Sequence, residues 1–311
     1  MAEEIERVGL ELGMGWLPDY PSFQDYTMET SNVVSDRAIR ANQKLPIIKM
    51  IEKLGVAQPE KVSVPTSVDW RNWCSPIENQ GSLGSCTAQA GVGLMEYYER
   101  RAFGKHLDAS RMFLYKATRN LLGLTGDTGA FIRTTMGAMA LFGVCPEAYF
   151  PYIIGDFDKE PSSFCYSFAQ NYQAIQYFRL DPPSTPRDLL LKRIKCFLTA
   201  KLPSMFGFTV FDSIWQAEDD GKIPFPCSKE KVLGGHAVVA VGYNDGLEIE
   251  NTSCGLKTKG ALIIRNSWGK KWGDKGYGYL PYDYILKGLA IDWWCLLKNE
   301  WVDTKRFGIQ S

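Results

Sequence analysis

Apolar residues in the first half of the chain recur at spacings of three and four positions, which is the pattern of amphipathic helices. The strongest instance predicts a buried central helix over Thr87–Arg101, with Glu96 and Arg100 paired four residues apart. Glycines that are typical of helix C-termini, and one N-terminal capping motif, indicate further helices. These are expected over Ser110–Leu122, over Ala130–Phe142 and from Thr185 onward.

Short β-rich runs separated by Gly, Asn and Asp turns replace this pattern from about residue 203 onward. The runs are Met205–Phe211, His236–Tyr243, Ala261–Asn266 and Tyr277–Leu280. Because helices come first and strands second, the order predicts an α+β fold in which a helical half packs against an antiparallel sheet half. A cleft is expected between the two halves.

Residues 1–63 differ from the rest of the chain. They carry a net charge of −3, against +3 for residues 64–311. They combine Gly, Pro and Tyr turns with one loosely periodic helix predicted over Asp36–Leu54. We therefore predict a propeptide-like segment that ends near residue 63, followed by a mainly helical lobe over 64–185 and a mainly β lobe over 186–311.

Composition excludes several classes of protein. The 311 residues are 45% hydrophobic and 23% charged with zero formal net charge, so neither nucleic acid nor an anionic membrane is an expected partner. Apolar runs are shorter than the roughly 20 residues of a membrane-spanning helix, and the acidic start does not resemble a secretory signal, so a cytoplasmic location is expected. With two histidines and no Cys-x-x-Cys pair, neither a metal nor another cofactor is expected.

One of the eight cysteines stands in unusual surroundings. The glycine loop Asn79–Ser85 delivers Cys86 to the first turn of the predicted central helix, where the helix dipole and unpaired N–H groups favour a thiolate. The other cysteines are expected to be buried, reduced thiols, and such packing is the ordinary alternative at Cys86 as well. Cys86 is therefore the candidate nucleophile.

The proton partner of this thiol has to be one of two histidines. His106 lies in a polar turn and is expected at the surface, whereas His236 opens a predicted strand after two glycines. Asn266, at the end of the next predicted strand, offers an amide that orients the imidazole, and Trp268 would exclude water from that hydrogen bond. A Cys–His–Asn arrangement follows the logic of the serine triad, with a structural histidine as the alternative at position 236.

Four motifs, in the same order along the chain, are similar to those of the papain-like cysteine peptidases. They are Val68-Asp-Trp-Arg71, Asn79-Gln-Gly-Ser-Leu-Gly-Ser-Cys86, Gly235-His-Ala-Val-Val-Ala-Val-Gly-Tyr243 and Arg265-Asn-Ser-Trp-Gly269. The resemblance is to the cathepsin-like group, covers about residues 64–300 and implies a two-lobed papain-like fold. It implies that Cys86 is the nucleophile, His236 its general base and acid, and Asn266 the group that orients the imidazole. The Gln80 side chain and the Cys86 N–H would form the oxyanion hole.

The same resemblance implies how a peptide or protein substrate would lie. The segment Gly126–Phe131 matches the family's glycine-rich substrate strip, in which Gly129 would pair with the substrate main chain. Asp292 would lie at the bottom of the pocket for the second residue before the scissile bond (P2) and would favour Lys or Arg there. An ordinary solvated aspartate is the alternative. The expected substrate-binding residues are Gly84, Asp127, Gly129, Ala130, Phe131, Ala237, Trp268 and Asp292.

Two departures from the family pattern concern disulfides. Leu83 and Gly126 occupy both positions of the bridge next to the family's nucleophile, so the chain resembles an atypical, prokaryotic-looking form that lacks this bridge. Cys227 matches a family half-cystine, but Lys287 stands at the partner position, which leaves the pairing of Cys227 open. These departures favour a reducing compartment, or a fold that does not rely on the bridges.

The sequence thus predicts a monomeric cysteine endopeptidase that is made as a latent zymogen. Residues 1–63 are expected to cover the cleft as an intramolecular inhibitor and to be removed near residues 55–65. Three alternatives stay open. They are an exopeptidase whose insertion Asp212–Leu233 blocks one end of the cleft, a catalytically silent papain-fold binding or scaffold protein, and acyl transfer to an acceptor other than water.

Overall fold

The computed structural model of the protein describes residues 12–23, 25–29, 45–172 and 176–309. Within these ranges, seven strands form one antiparallel sheet: β1 Ser67–Asp69, β2 Gln176–Arg179, β3 Ser204–Phe211, β4 Val232–Asn251, β5 Leu256–Arg265, β6 Tyr277–Pro281 and β7 Ala290–Leu297. Six of them follow the order β2-β7-β3-β4-β5-β6, and β1 pairs with β4. The four predicted strands are confirmed, and β4 and β5 extend beyond the predicted runs into a long hairpin.

The described ranges also contain eight α-helices: α1 Ile47–Lys53, α2 Cys86–Phe103, α3 Arg111–Leu122, α4 Ile132–Leu141, α5 Ser163–Ala169, α6 Arg187–Thr199, α7 Tyr282–Leu286 and α8 Asn299–Asp303. The helices predicted around residues 87–101, 110–122, 130–142 and from 185 are confirmed as α2, α3, α4 and α6. Of the helix predicted over Asp36–Leu54, residues 47–53 are helical, and residues 36–44 lie outside the described ones. None of the helices in the described ranges is long and apolar enough to cross a membrane.

The central helix α2 holds the end of β5 in place. Most of its side chains are buried, and it ends at Gly104, whose φ of 77° is left-handed. Gly93 lets Arg265 approach the helix backbone, since a Cβ at Gly93 would lie 2.9 Å from Arg265 Nη1. Because Arg265 is the last residue of β5, this contact fixes Asn266 relative to the helix that begins with Cys86.

The predicted α+β architecture with a helical lobe and an antiparallel sheet lobe is confirmed. The helices α3 and α4 pack on α2, while α2 also packs against β4 and β3 of the sheet. The register of β4 places His236 opposite Phe208 of β3. The N-terminus of α2 and the first part of β4 therefore meet where the two lobes join.

Part of the predicted N-terminal segment is packed into the common core. Residues 45–57 contribute five buried apolar side chains, and Lys53 forms an ion pair with Asp303 of α8 at 2.6 Å. The five side chains are Ile47, Met50, Ile51, Leu54 and Val56. The domain boundary near residue 63 stays a prediction, and it does not coincide with an edge of the hydrophobic core.

The insertion Asp212–Leu233 is tied to the β lobe by a disulfide. Cys227 pairs with Cys254 in the turn between β4 and β5, which settles the pairing that the sequence left open. The remaining six cysteines, Cys86 among them, are buried free thiols, whereas the expectation of a reduced thiol is wrong for Cys254. This chain therefore carries a disulfide far along the chain from its candidate nucleophile and none beside it.

Candidate active site

Cys86 is the first residue of α2 and is fully buried. The loop before it delivers the thiol to the start of the helix, where the first N–H groups have no partner within the helix. Ala237 and Gly15 lie close enough to the sulfur for their backbone N–H groups to act on the thiol. The thiol therefore lies against Ala237 of β4, the residue that follows His236, and against Gly15 of the N-terminal segment.

His236 is held by an amide and an indole. Its Nε2 lies 2.7 Å from Asn266 Oδ1, and the Trp268 ring stacks on the imidazole with centroids 4.3 Å apart. Both His236 and Asn266 are buried, so the hydrogen bond is shielded from water as the sequence predicts. The Nδ1 atom of His236 has no partner among the described residues. This nitrogen is the one left to exchange a proton with a thiol.

The Gln80 side chain is fixed from both ends of its amide. Its Oε1 accepts a hydrogen bond from Ser267 Oγ at 2.6 Å, and its Nε2 donates to Leu83 O at 2.7 Å. An amide nitrogen carries two donors, so one remains after the bond to Leu83. Gln80 is fully buried within the loop that leads to Cys86, and its backbone N–H donates to Ser267 O. The loop and the Asn-Ser-Trp motif thus form one hydrogen-bonded unit.

Residues 13–17 of the N-terminal segment lie across these groups. A Cβ at Gly13 would lie 2.7 Å from Gln80 Nε2, and one at Gly15 would lie 1.9 Å from Gly84 O. Trp268 Nε1 donates to Gly13 O at 3.0 Å. Only glycine fits at such short distances from the loop. The two glycines therefore bring the N-terminal backbone directly over the candidate nucleophile and oxyanion groups.

The predicted substrate strip makes main-chain hydrogen bonds with the N-terminal segment through Ala130. Ala130 N–H donates to Gly15 O at 2.8 Å and Ala130 O accepts from Leu17 N–H at 3.0 Å, so residues 16 and 130 pair in parallel. The sequence assigned this pairing to Gly129, whose N–H is taken by the Tyr115 hydroxyl. Gly129 instead supplies space, because a Cβ there would lie 2.2 Å from Gly15 O.

Trp16 fills a pocket that ends at Asp292. A Cβ at Gly207 would lie 1.9 Å from the Trp16 ring, and one at Gly235 would lie 2.9 Å from it. The indole Nε1 donates to Asp292 Oδ2 at 3.1 Å. Asp292 is fully buried, so the solvated aspartate weighed as an alternative is wrong. Its Oδ1 lies 3.1 Å from Arg179 Nη1 and accepts from Trp294 Nε1 at 2.7 Å.

Burial decides the protonation states in this arrangement. It raises the pKa of the Cys86 thiol to about 11, against the lowering effect of the backbone hydrogen bonds from Ala237 and Gly15. It lowers the pKa of His236 to about 4, against the raising effect of the hydrogen bond to Asn266 Oδ1. It also raises the pKa of Asp292 to about 6, although Arg179 opposes this shift. At neutral pH these shifts favour a neutral thiol and a neutral imidazole in this arrangement.

Sequence reasoning missed three side chains of the site. Ser267 orients Gln80, Arg179 pairs with Asp292, and the Tyr152 hydroxyl links Ser85 Oγ at 2.6 Å to Gln80 O at 3.0 Å. Ser267 lies inside the Asn-Ser-Trp motif and was within reach of the pattern. Tyr152 and Arg179 are more than 60 residues from their partners in sequence, and no local pattern marks them.

The predicted catalytic residues Cys86, His236, Asn266 and Gln80 therefore come together, with Gly84, Ala237 and Trp268 beside them. Ala130 and Asp292 contact Trp16 or its neighbours, and Asp127 bonds to Gly84. Phe131 is the residue before α4 and is half-buried. The described residues contain no group of three or more His, Cys, Asp or Glu side chains that would hold a metal ion.

Comparisons with known proteins identify similar sequences and structures. Residues 64–289 match the sequence profile of the papain family cysteine proteases. The chain is 35% identical over 224 residues to the uncharacterized peptidase C1-like protein L477 of Acanthamoeba polyphaga mimivirus, across 70% of this chain and 68% of that protein. It is 31% identical over 222 residues to cathepsin K of Gallus gallus, across 68% of this chain and 58% of that protein. It therefore spans less than two thirds of cathepsin K.

The fold is also similar to solved structures. Xylellain, a cysteine protease from Xylella fastidiosa, superposes with a TM-score of 0.68 at 28% identity, across 93% of this chain and 97% of that one. Digestive procathepsin L 3 of Tenebrio molitor larval midgut superposes with a TM-score of 0.58 at 21% identity, across 76% of this chain and 71% of that one. The first of these similarities extends well beyond residues 64–289.

Proposed function

The chain belongs to the papain family of cysteine proteases, a family of cysteine-type peptidases, and from this premise we propose that it is a cysteine endopeptidase held latent by its own N-terminal residues. One observation carries the proposal. Cys86 begins a buried helix beside a strand on which His236 is oriented by Asn266 at 2.7 Å. A thiol at a helix N-terminus and an imidazole with one nitrogen committed to an amide are the parts of a nucleophile and its base.

In the proposed reaction, His236 Nδ1 takes the proton of the Cys86 thiol, and the thiolate attacks the carbonyl carbon of a peptide bond. The Cys86 N–H and the remaining Gln80 donor would stabilise the negative charge on the carbonyl oxygen. His236 then gives the proton to the leaving amine. A water molecule, deprotonated by the same imidazole, attacks the thioester, releases a carboxylic acid and restores the thiol.

Latency is proposed from the position of residues 13–17. Their backbone passes over Gln80 and Gly84, and Trp16 occupies the pocket that ends at Asp292. A substrate needs the same space. Burial raises the pKa of the Cys86 thiol to about 11, although backbone hydrogen bonds from Ala237 and Gly15 oppose this shift. Ion pairs of Arg133 with Asp19 and Asp25 attach the same segment to the helical lobe.

Activation then requires that residues 13–17 leave the cleft, and cleavage near residues 55–65 by the enzyme itself is one route. Several residues between 57 and 66 are exposed. Purified wild-type protein and Cys86→Ala protein, incubated side by side from pH 4 to 7 with reductant, test this route by mass spectrometry. Autoprocessing predicts a trimmed wild type and an intact variant, and equal trimming of both would contradict it.

The same trimmed protein tests the activity. Internally quenched peptides that are blocked at both ends are expected to be cleaved by wild type and not by Cys86→Ala, which distinguishes an endopeptidase from an exopeptidase that needs a free chain end. The insertion supports the open groove, because its hydrogen bonds run to the β lobe, from Gln216 to Asn251 and from Ile223 to Tyr279. Cleavage of unblocked peptides alone would favour the exopeptidase. A lack of both cleavage and epoxide labelling at Cys86 would favour the silent papain-fold protein.

For the P2 pocket, we propose a preference for aromatic side chains that carry a hydrogen-bond donor. The pocket accepts the indole of Trp16 with its Nε1 on Asp292, and Arg179 already balances the carboxylate. A basic P2 residue would have to share Asp292 with Arg179. The predicted preference for Lys or Arg therefore holds only if that residue competes successfully with Arg179 for the carboxylate. A peptide library with Trp, Phe, Arg and Leu at P2 separates the two. Trp above Phe supports the donor, whereas Arg above Trp supports the basic preference.

A further inference from the structure

Two side chains join the loop before the nucleophile to the substrate strip, and neither takes part in the proposed reaction. Gly84 N–H lies 3.0 and 3.1 Å from the two carboxylate oxygens of Asp127. The Tyr115 hydroxyl donates to Asp127 Oδ1 and accepts from Gly129 N–H at 3.1 Å. We call these four groups, Gly84 N–H, the Asp127 carboxylate, the Tyr115 hydroxyl and Gly129 N–H, the Tyr115–Asp127 clasp.

The clasp stands on a rigid base. Tyr115 is fully buried on α3. Arg119, one turn later, lies over its ring at 4.2 Å and donates to Gly126 O. Asp158 pairs with Arg119 at 2.5 Å and accepts from Gly126 N–H at 2.7 Å. Both ends of the strip 126–129 are therefore fixed to one helix by charged or buried groups.

The clasp also determines the geometry between two parts of the cleft. Gly84 is two residues before Cys86, whose N–H is a proposed oxyanion donor. Gly129 is next to Ala130, whose N–H and C=O make the main-chain hydrogen bonds to the peptide that occupies the cleft. Asp127 is an exposed residue, so its carboxylate has a fixed position only if hydrogen-bond donors hold it. Here the Gly84 N–H and the hydroxyl of the buried Tyr115 are those donors.

We infer that Tyr115 and Asp127 are positioning residues that align the backbone of a bound peptide with the nucleophile. They act through Gly84 and Gly129 and leave the reactivity of Cys86 unchanged. The inference rests on the proposed peptidase function. A carboxylate hydrogen bond to a backbone N–H is charge-assisted, so removing it is expected to lower the efficiency of alignment about 10-fold.

The test compares Asp127→Asn, Asp127→Ala and Tyr115→Phe in the full chain after activation, with active sites counted by titration with a cysteine-directed epoxide. The probe is a blocked Phe-Gln coumarylamide, whose uncharged P1 residue keeps the lost charge of Asp127 from acting on the substrate directly. We expect kcat/KM to fall about 10-fold in Asp127→Ala, mainly through KM, and less in Asp127→Asn. Alkylation of Cys86 by iodoacetamide is expected to stay within about 2-fold of wild type. Asp156→Asn, an exposed carboxylate paired with Lys159 at 3.4 Å, is the matched control.

The double variant Tyr115→Phe/Asp127→Ala shows whether the two residues act as one unit. One unit predicts a loss close to that of the worse single variant, about 10-fold, whereas independent effects would multiply to about 100-fold. A multiplied loss, a loss below 2-fold in Asp127→Ala, or a parallel fall in the alkylation rate would each overturn the inference.

A second measurement does not depend on turnover. In the Cys86→Ala full chain, amide hydrogen exchange at Gly129, whose N–H donates to the Tyr115 hydroxyl, reports how firmly the strip is held, and Asp127→Asn is expected to speed it about 10-fold. If wild type hydrolyses no peptide but this exchange still rises, the proposed function fails and the positioning role survives. If wild type is active and neither kinetics nor exchange responds to Asp127→Asn, the positioning role fails alone.

Discussion

Trp16→Ala in the full chain is the sharpest perturbation of the closed state. Trp16 is 4% exposed, fills the space above Gly207 and Gly235, and donates to Asp292. Truncation of a buried aromatic anchor costs about 2–4 kcal/mol. At about 1.4 kcal/mol per factor of ten, the equilibrium between closed and open cleft should shift about 30- to 1,000-fold toward the open form. Trp16→Phe keeps most of the ring contact and loses the donor, so its shift should be smaller.

The measurement is the rate at which a cysteine-directed epoxide labels Cys86 at pH 7, before any trimming is visible by mass spectrometry. If opening is rapid, the labelling rate follows the open fraction, so Trp16→Ala should label at least about 30-fold faster than wild type. Phe23→Ala is the matched control, because Phe23 lies on the same segment and is 95% exposed. Equal labelling of Trp16→Ala and Phe23→Ala, with both proteins folded by near-UV circular dichroism, would refute the role of Trp16 as the anchor.

Three other predictions follow from the same contacts. Burial raises the pKa of Cys86 to about 11 in the full chain, so its rate of alkylation by iodoacetamide should rise about tenfold per pH unit between pH 7 and 10. In the trimmed protein the alkylation rate should reach its plateau at a lower pH, and identical pH profiles for the two proteins would contradict this prediction. Asn266→Ala removes the bond that orients His236 and should lower kcat about 10- to 100-fold per titrated active site, and a change below twofold would remove Asn266 from the machinery. Cys227→Ser/Cys254→Ser opens a disulfide that spans 27 residues and should lower the free energy of unfolding by about 3 kcal/mol in urea titrations, with peptide cleavage retained; an unchanged urea midpoint would argue against the bond.

The sequence was sufficient for most helices and strands and for the candidate catalytic residues, because both follow local patterns. Periodicity of three and four located α2, α3 and α4, and alternation with turns located the strands. Cys86, His236 and Asn266 each occur in a short motif whose order along the chain fixes the resemblance to the family. The structure added distances and partners to these residues without changing which ones meet.

The contacts between remote segments were beyond such patterns. Trp16 appeared in the sequence only as part of a turn-rich stretch, yet it lies against Asp292, 276 residues away. Arg179, which pairs with Asp292, comes from an edge strand with no distinguishing motif. The opposite net charges of residues 1–63 and 64–311 agree with the ion pairs between these two parts of the chain, since Asp19 and Asp25 pair with Arg133. The monomeric state, the cytoplasmic location and the cleavage site remain predictions.

The clasp has a consequence for the redox conditions in which this protein works. A cysteine nucleophile has to be kept as a free thiol, and the reductants that do so also attack nearby disulfides by thiol exchange. Here the loop before Cys86 and the substrate strip are held together by Asp127 and Tyr115, which exchange with no thiol. The chain therefore separates the two requirements: the same reducing power that keeps its sulfur reactive leaves the alignment of its cleft untouched.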